Sequence, residues 1–234
     1  MNSPLHHSHR GWRSTISGLL LIMLMLGSGL ATVSFASASN PHVGPEGVLI
    51  YNVPDLASSS TTRAGASIDG IACRTLAKAT AKYHVHAHFA IYVKGKMMRL
   101  PAGIGITKPQ LVEHYASGVF DDVGVYDCLY WLHTHTADGI IHVEAPAKQN
   151  FTLGQFFDIW NQPLSSTRVG PDHGKVTIFE NGKRLTGNPR LVPLLPHAAI
   201  QIDVGNPVVS FQPFSYTVTG GCGEGTNSCK AANS

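Results

Sequence analysis

The feature that most constrains the fold is the segment Tyr83 to Val93, in which apolar residues and histidines alternate. Its odd-numbered positions are apolar or aromatic, whereas the first three even-numbered positions are His84, His86 and His88. Successive side chains of a β-strand point to opposite faces. The period of two therefore predicts a strand with one apolar face and one row of imidazoles.

A second segment carries histidines with the same spacing. His133 and His135 precede the pair Asp138-Gly139, and His142 and Glu144 follow it. Asp-Gly is a preferred pair for a two-residue type I′ hairpin turn. With that turn as the whole loop, His135 lies opposite His142. His133 then lies opposite Glu144, and all four side chains point to one face.

These two rows predict a metal site. Opposed Cβ atoms on paired strands lie about 4.5–5.5 Å apart, close enough for imidazoles to share an ion with bonds of about 2.0–2.1 Å. We expect the rows to be adjacent, with Glu144 as a further ligand, an orienting group or a general base. The predicted ligands are His84, His86, His88, His133, His135 and His142.

The metal and its use stay open at this level. Imidazole with one carboxylate suits several divalent transition metals, of which we expect zinc first, with copper or iron as alternatives. The chain is then a metal-dependent enzyme acting on a small substrate, or a metal-capture or metal-delivery protein without catalysis. A third possibility is a structural or interaction module stapled by disulfides. In that module the histidines face solvent or form hydrogen bonds without metal.

Residues 1–38 predict a signal peptide. Arg10 and Arg13 supply a positive segment, Ile16 to Leu30 is apolar, and Ala36-Ser37-Ala38 fits the cleavage pattern. An uncleaved membrane anchor is the alternative, because the apolar stretch approaches spanning length. We expect a secreted, periplasmic or cell-surface protein that has no stable membrane insertion after cleavage.

The charge balance argues against a nucleic-acid partner. Without Arg10 and Arg13, which are among 17 basic residues, the chain is close to neutral against its 14 acidic residues. It has no nucleic-acid-binding motif. It also lacks the G-x-S-x-G and H-E-x-x-H patterns and a phosphate-binding loop. The expected partners are a metal ion and, for an enzyme, a small molecule.

Export would place the four cysteines in an oxidising compartment, where they can form two disulfides. We favour Cys222–Cys229, which closes a short glycine-rich loop, together with Cys73–Cys128, which ties the N-terminal region to a central strand. The other two connectivities stay open. After the signal peptide, the predicted organisation is an extended arm or linker (39–67), a single β-rich metal-binding domain (68–210) and a tail with a disulfide loop (211–234).

Turn signals predict a mainly β protein of the α+β class. Glycine (24) and proline (14) are plentiful, which favours short strands, and Asn181-Gly182 predicts a hairpin. Capping patterns predict two short helices, from Thr107 to near Gly118 and from Thr152, where Gln155 completes a capping box. We expect an antiparallel sheet, or a small sandwich or barrel of hairpins. Further strands are predicted at residues 96–100, 127–136, 139–145, 175–180, 183–185 and 198–204.

Four motifs resemble those of a group of exported bacterial proteins of unassigned function. They are HVHAHFAIYV from His84, CLYWLHTH from Cys128, GIIHVEAP from Gly139 and FTLGQFFDIW from Phe151. The resemblance covers roughly Tyr83 to Val204 and implies a compact exported module, with no substrate attached. Histidines that alternate on strands around zinc are also found in alpha-type carbonic anhydrases, which are similar in the site alone.

Overall fold

The computed structural model describes residues 42–44, 48–75, 78, 81–109, 111–114 and 121–216. These residues form mostly short strands and one α-helix, α1 (Leu153–Trp160). The strands are β1 (His42–Val43), β2 (Leu49–Ile50), β3 (Cys73–Arg74), β4 (Tyr83–Val93), β5 (Lys96–Met98), β6 (Ile106–Thr107), β7 (Leu111–His114), β8 (Asp121–Val125), β9 (Cys128–Tyr130), β10 (Leu132–His133), β11 (Ile140–Ala145), β12 (Leu164–Ser165), β13 (Arg168–Val169), β14 (Asp172–His173), β15 (Val176–Glu180), β16 (Lys183–Leu185) and β17 (Ala199–Val204).

The largest sheet is seven-stranded and mixed, with the order β10-β11-β4-β17-β15-β16 and with β5 also paired to β4. The long strand β4 occupies its centre. It pairs antiparallel with β11 through residues 83–88 and parallel with β17 through residues 88–93. The predicted mainly β class is confirmed. The other strand pairs of this sheet are antiparallel, as expected, and the sheet is mixed because β17 joins β4 in the parallel sense.

The apolar face of β4 packs into the main core, as its alternation predicts. Val85, Ala87, Phe89 and Ile91 are all buried. Helix α1 covers this core with aromatic side chains that are fully buried. Its predicted N-terminus is confirmed, since Thr152 and Gln155 form a capping box in which each side chain accepts from the backbone N–H of the other.

Residues 48–67, which include a short 3₁₀ helix at Ser59–Thr61, pack on the domain. Leu56 is buried in the core. The indole N–H of Trp160 donates to the Ser58 carbonyl at 3.0 Å, and the Tyr130 hydroxyl donates to the Ala66 carbonyl at 2.7 Å. Burial of apolar side chains and these hydrogen bonds attach the predicted arm to the domain.

The two hairpins of the large sheet have the turns that their sequences favour. Lys94 and Gly95 have φ of 49° and 76°, and Asn181 and Gly182 have φ of 49° and 83°. Positive φ at both central residues is the requirement of a type I′ turn. The predicted hairpin at Asn181-Gly182 is confirmed, with Glu180 opposite Lys183.

The first predicted helix is wrong. Thr107 lies in β6, where its hydroxyl donates to the Cys128 carbonyl at 3.0 Å, and Leu111–His114 form β7, paired with β8. A threonine that would cap a helix can equally bond to a neighbouring strand. Pairing with a partner strand has therefore overridden the local signal, while the remainder of that predicted helix lies partly outside the described residues.

The disulfide Cys73–Cys128 is present, as predicted, and joins β3 to β9. Cys222 and Cys229 lie outside the described residues, as does the predicted signal peptide of residues 1–38. Within the residues that the structure describes, no helix has the length and apolar character needed to span a membrane.

Candidate metal centre

Strand β10 meets β11 in a register that places His133 opposite His142. The predicted register, with His133 opposite Glu144 across a two-residue turn, is therefore wrong. The connection between the strands covers residues 134–139. The pairing differs from the predicted one by two residues, which is an even shift. His133, His142 and Glu144 consequently still point to the same face.

Local contacts explain why Asp138-Gly139 does not form the expected turn. The backbone N–H of Ile140 donates to Asp138 Oδ1 at 2.9 Å. Only Gly139, with φ of 85°, has positive φ, whereas a type I′ turn needs it at both positions. The Gly139 carbonyl accepts the N–H of Phe89 at 2.8 Å. The absence of a side chain at Gly139 thus allows its backbone to approach β4 closely.

The two predicted histidine rows are adjacent. Strand β11 lies between β10 and β4, and it pairs with β4 so that His142 is opposite His86 and Glu144 is opposite His84. Residues directly opposite in an antiparallel pair share a face. His142 therefore has an imidazole neighbour on each side, His133 on β10 and His86 on β4.

The donor atoms form two overlapping groups, each with all its atoms within 4.8 Å of one another. His142 belongs to both. One group consists of His133, His135, His142 and Glu144, and the other of His84, His86 and His142.

The separations between donor atoms suit metal coordination. Two ligands bound at about 2.0–2.1 Å to one ion lie about 2.8–3.4 Å apart at octahedral or tetrahedral angles. The closest contacts are 2.9 Å for Nε2 of His84 and His86, 3.1 Å for His86 Nε2 and His142 Nδ1, 3.2 Å for Nε2 of His133 and His135, and 3.3 Å for His84 Nε2 and Glu144 Oε1. Glu144 Oε1 also lies 3.8 Å from His142 Nδ1 and 3.9 Å from His133 Nε2. The closest of these side chains could therefore hold one metal ion between them, and the same separations also fit hydrogen bonds.

Backbone carbonyls determine which ring nitrogens of two histidines carry hydrogen. His133 Nδ1 lies 2.8 Å from the Tyr130 carbonyl oxygen, and His135 Nδ1 lies 3.1 Å from that of Val123. A carbonyl oxygen only accepts, so each Nδ1 donates its hydrogen. In the neutral imidazole the remaining nitrogen, Nε2, then has a free lone pair. These two Nε2 atoms face each other at 3.2 Å.

Burial keeps the central imidazoles neutral. His133 is 0% exposed and His142 is 6% exposed. Burial lowers the pKa of both well below its ordinary value, and the neighbouring His135 adds to the shift. Burial, followed by the effect of His142, lowers the pKa of His86 to about 2. Neutral imidazole is the form that binds a metal.

His88 is placed differently from the other five predicted histidines. Its ring stacks on Phe214, with the ring centres 3.7 Å apart and the planes 3° apart. It belongs to neither group of convergent donors. Burial lowers the pKa of His88 to about 3. The alternation along β4 predicts a common face, but it carries no information on Phe214, which reaches His88 from the C-terminal segment.

Sequence reasoning missed the groups around the histidines. The carbonyls of Tyr130 and Val123 orient two rings, and a backbone carbonyl has no sequence signal. A cavity of about 80 Å³ is lined by Glu144 together with Arg74, Lys78 and Trp131. The position of Arg74 next to Cys73 could have indicated a residue held near Cys128, because a disulfide fixes the neighbours of its cysteines.

Comparison of the chain with models of protein families, with curated proteins and with solved structures finds no match. Function is therefore argued from the chemistry of the site.

Proposed function

We propose that the protein is an exported metalloprotein that binds a divalent transition-metal ion in this centre. The ligands are His133, His135 and His142, with Glu144 as the fourth donor. His84 and His86 complete the imidazole surroundings and contact Glu144 and His142. Zinc is the metal we expect first, and copper second.

The observation that carries the proposal is the pair of lone pairs on His133 and His135. Two acceptors at 3.2 Å repel each other unless a cation lies between them. A shared proton would serve these two nitrogens alone. A metal ion would serve His142 and Glu144 as well, whose donor atoms lie in the same group. Metal-binding histidines commonly donate their other N–H to a backbone carbonyl, as both do here.

The donor set favours zinc or copper. Three imidazoles and one carboxylate suit Zn²⁺, Cu²⁺ and Fe²⁺, whereas Ca²⁺ and Mg²⁺ prefer oxygen ligands. Among the candidates, zinc imposes no geometric preference from its d-electrons and accepts four donors of mixed type. Export, which we propose from the N-terminal sequence, favours a metal that is common outside the cytoplasm.

A metal-dependent enzyme is the second candidate function. The cavity of about 80 Å³ beside Glu144 favours it over closed metal storage, because a catalytic site needs space for a substrate. In that case Glu144 orients or deprotonates a water molecule in place of binding the ion directly. The three histidines then leave a coordination position open.

Metal analysis tests the proposal directly. The purified protein is expected to retain one zinc equivalent after exhaustive dialysis, measured by elemental analysis, and to lose it in His133→Ala/His135→Ala. His135→Ala alone removes a partly exposed ligand, so it keeps the fold more readily and is expected to weaken zinc binding at least about 10-fold.

His173→Ala is the matched control, because His173 is exposed and lies in β14, outside both donor groups. It is expected to bind zinc as the wild type does. Retention of full zinc by His133→Ala/His135→Ala contradicts the proposed site. Absence of metal from the wild type, with no thermal shift on adding zinc or copper, contradicts the proposed function.

A further inference from the structure

The cavity of about 80 Å³ and the metal centre have one residue in common, Glu144. Arg74 and Lys78 are the basic residues that line the cavity, and Leu129 and Trp131 are apolar residues of its lining. The volume is roughly five times what a single ordered water needs. A ligand of a few non-hydrogen atoms therefore fits beside the metal.

The charges around this cavity favour an anion. Arg74 and Lys78 are solvent-exposed and, within the described part of the chain, neither forms an ion pair. Arg74 lies over the Trp131 ring, 6.0 Å from its centre. An arginine offers a planar pair of donors that matches a carboxylate, and the lysine adds a second positive charge.

We propose that the cavity binds a small organic carboxylate next to the metal ion. Arg74 and Lys78 bind the carboxylate group. Trp131 and Leu129 contact the apolar part of the ligand, which is the reason to expect an organic acid over inorganic phosphate. The inference rests on the proposed metal centre and names the ligand class of that same site.

The disulfide holds the arginine in position. Arg74 follows Cys73 in β3, and it lies opposite Leu129 of β9, next to Cys128. The bond between the two cysteines therefore connects both walls of the cavity. A binding group that is held before the ligand arrives loses less conformational entropy on binding.

Glu144 couples the carboxylate to the metal. Without metal, the Glu144 carboxylate repels an anion in the cavity that it lines. With a divalent ion bound to it, the net charge at this position becomes positive. Anion binding is therefore expected to tighten at least about 10-fold when zinc is present, and the anion is expected to tighten zinc binding by the same factor.

Calorimetric titration of the purified, zinc-loaded protein tests the inference. Propionate is the probe, propionamide is the uncharged control of the same shape, and inorganic phosphate is the competing anion class. Propionate is expected to bind, propionamide is not, and phosphate is expected to bind more weakly. Arg74→Gln/Lys78→Gln is expected to weaken the binding of propionate at least about 10-fold. Arg74→Lys keeps the charge without the planar donor pair. Its affinity for propionate is expected to lie between those of the wild type and the double variant.

Lys183→Gln/Arg184→Gln removes the same charge from exposed positions of β16, at the other end of the large sheet from β10, and is expected to bind propionate as the wild type does. Zinc content and thermal unfolding are measured on every sample, so loss of metal or of fold is recognised. Equal binding of propionate and propionamide, or undiminished binding by Arg74→Gln/Lys78→Gln, overturns the inference. Preference for phosphate overturns the organic-carboxylate assignment. If the protein binds zinc but no propionate, the inference alone fails, whereas absence of bound metal, with no thermal shift on adding zinc or copper, refutes the proposed function as well.

Discussion

At the scale of single residues, His142 links the two groups of donors. It lies on the strand between β10 and β4, so its ring has His133 on one side and His86 on the other. The ring centres of His142 and His86 are 4.5 Å apart, and those of His142 and His133 are 5.2 Å apart. A buried imidazole with polar neighbours on both sides is costly unless each lone pair is satisfied. The proposed metal ion would bind several of these imidazoles at once.

Gly139 lies where the loop before β11 approaches β4, and its substitution tests how much this contact contributes to stability. A Cβ at this position would lie 3.0 Å from the Phe89 carbonyl oxygen and 3.0 Å from His88 Nε2, and its φ is 85°. Gly139→Ala is therefore expected to lower the free energy of unfolding by about 2–4 kcal/mol, through backbone strain and contact with β4. Chemical denaturation measures the change.

Gly70→Ala is the matched control for that prediction. Gly70 has a similar φ of 78°, but a Cβ there would have no neighbour within 4 Å. Gly70→Ala is expected to lower the free energy of unfolding by about 1–2 kcal/mol, which is the contribution of backbone conformation alone. Equal losses for the two variants would show that the close approach of Gly139 to β4 contributes nothing.

At the scale of elements, β4 shows what a sequence pattern can predict. Its period of two predicted the strand and its bounds of Tyr83–Val93 because alternation depends only on neighbouring residues. The pairing of β10 with β11 was not predictable in the same way. It depends on two hydrogen bonds: the N–H of Ile140 donates to Asp138 Oδ1, and the N–H of Phe89 donates to the Gly139 carbonyl. The second joins residues that are distant in the chain. His133, His142 and Glu144 still share one face, as predicted, since an even shift preserves it.

Helix α1 gives the element-scale prediction, because it covers the core beneath β4. Thr152 caps it through the N–H of Gln155, and loss of such a cap costs about 0.5–2 kcal/mol. Thr152→Ala is expected to lower the unfolding free energy by that amount, with the zinc content unchanged. Denaturant unfolding and elemental analysis measure the two quantities.

Thr186→Ala provides the comparison, because Thr186 is exposed and lies outside the helices and strands. A change within about 0.5 kcal/mol is expected for it. An equal loss in both variants would contradict the assigned role of the cap.

At the scale of the whole molecule, both ends of the described chain pack on the domain. The N-terminal segment buries Leu56, and the C-terminal segment is held by Asp203, which accepts the N–H of Val209 at 2.7 Å. The same segment brings Phe214 onto His88 and Tyr216 to the carbonyl of Ala198 at 3.1 Å. His88 of β4 is therefore covered by a contact that sequence periodicity does not encode.

The buried histidines make the stability of the metal-free protein depend on pH. The pKa of His86 is lowered in the folded state to about 2 from 6.5, so below pH 6.5 the unfolded chain binds more protons. His133 and His142 act in the same direction. The stabilisation is complete above about pH 6.5 and is lost as the pH falls toward 2. Thermal unfolding of metal-free protein is expected to shift to lower temperature between about pH 7.5 and pH 5.

Two variants separate the buried cluster from other titrating groups. His86→Gln removes one buried imidazole and is expected to flatten the pH dependence, whereas His173→Gln, at an exposed position, is expected to leave it as in the wild type. A melting temperature that is constant from about pH 7.5 to pH 5 in the metal-free wild type would contradict the prediction.

The disulfide Cys73–Cys128 limits the compartments in which the oxidised fold can form. The bond joins residues 55 positions apart in sequence and fixes β3 against β9, the strand that leads through Trp131 to His133. Reducing compartments keep such cysteines as thiols. For a chain that is exported as proposed, the cavity walls are covalently locked only after translocation. The oxidised form of the proposed metal centre would then exist only outside the cytoplasm.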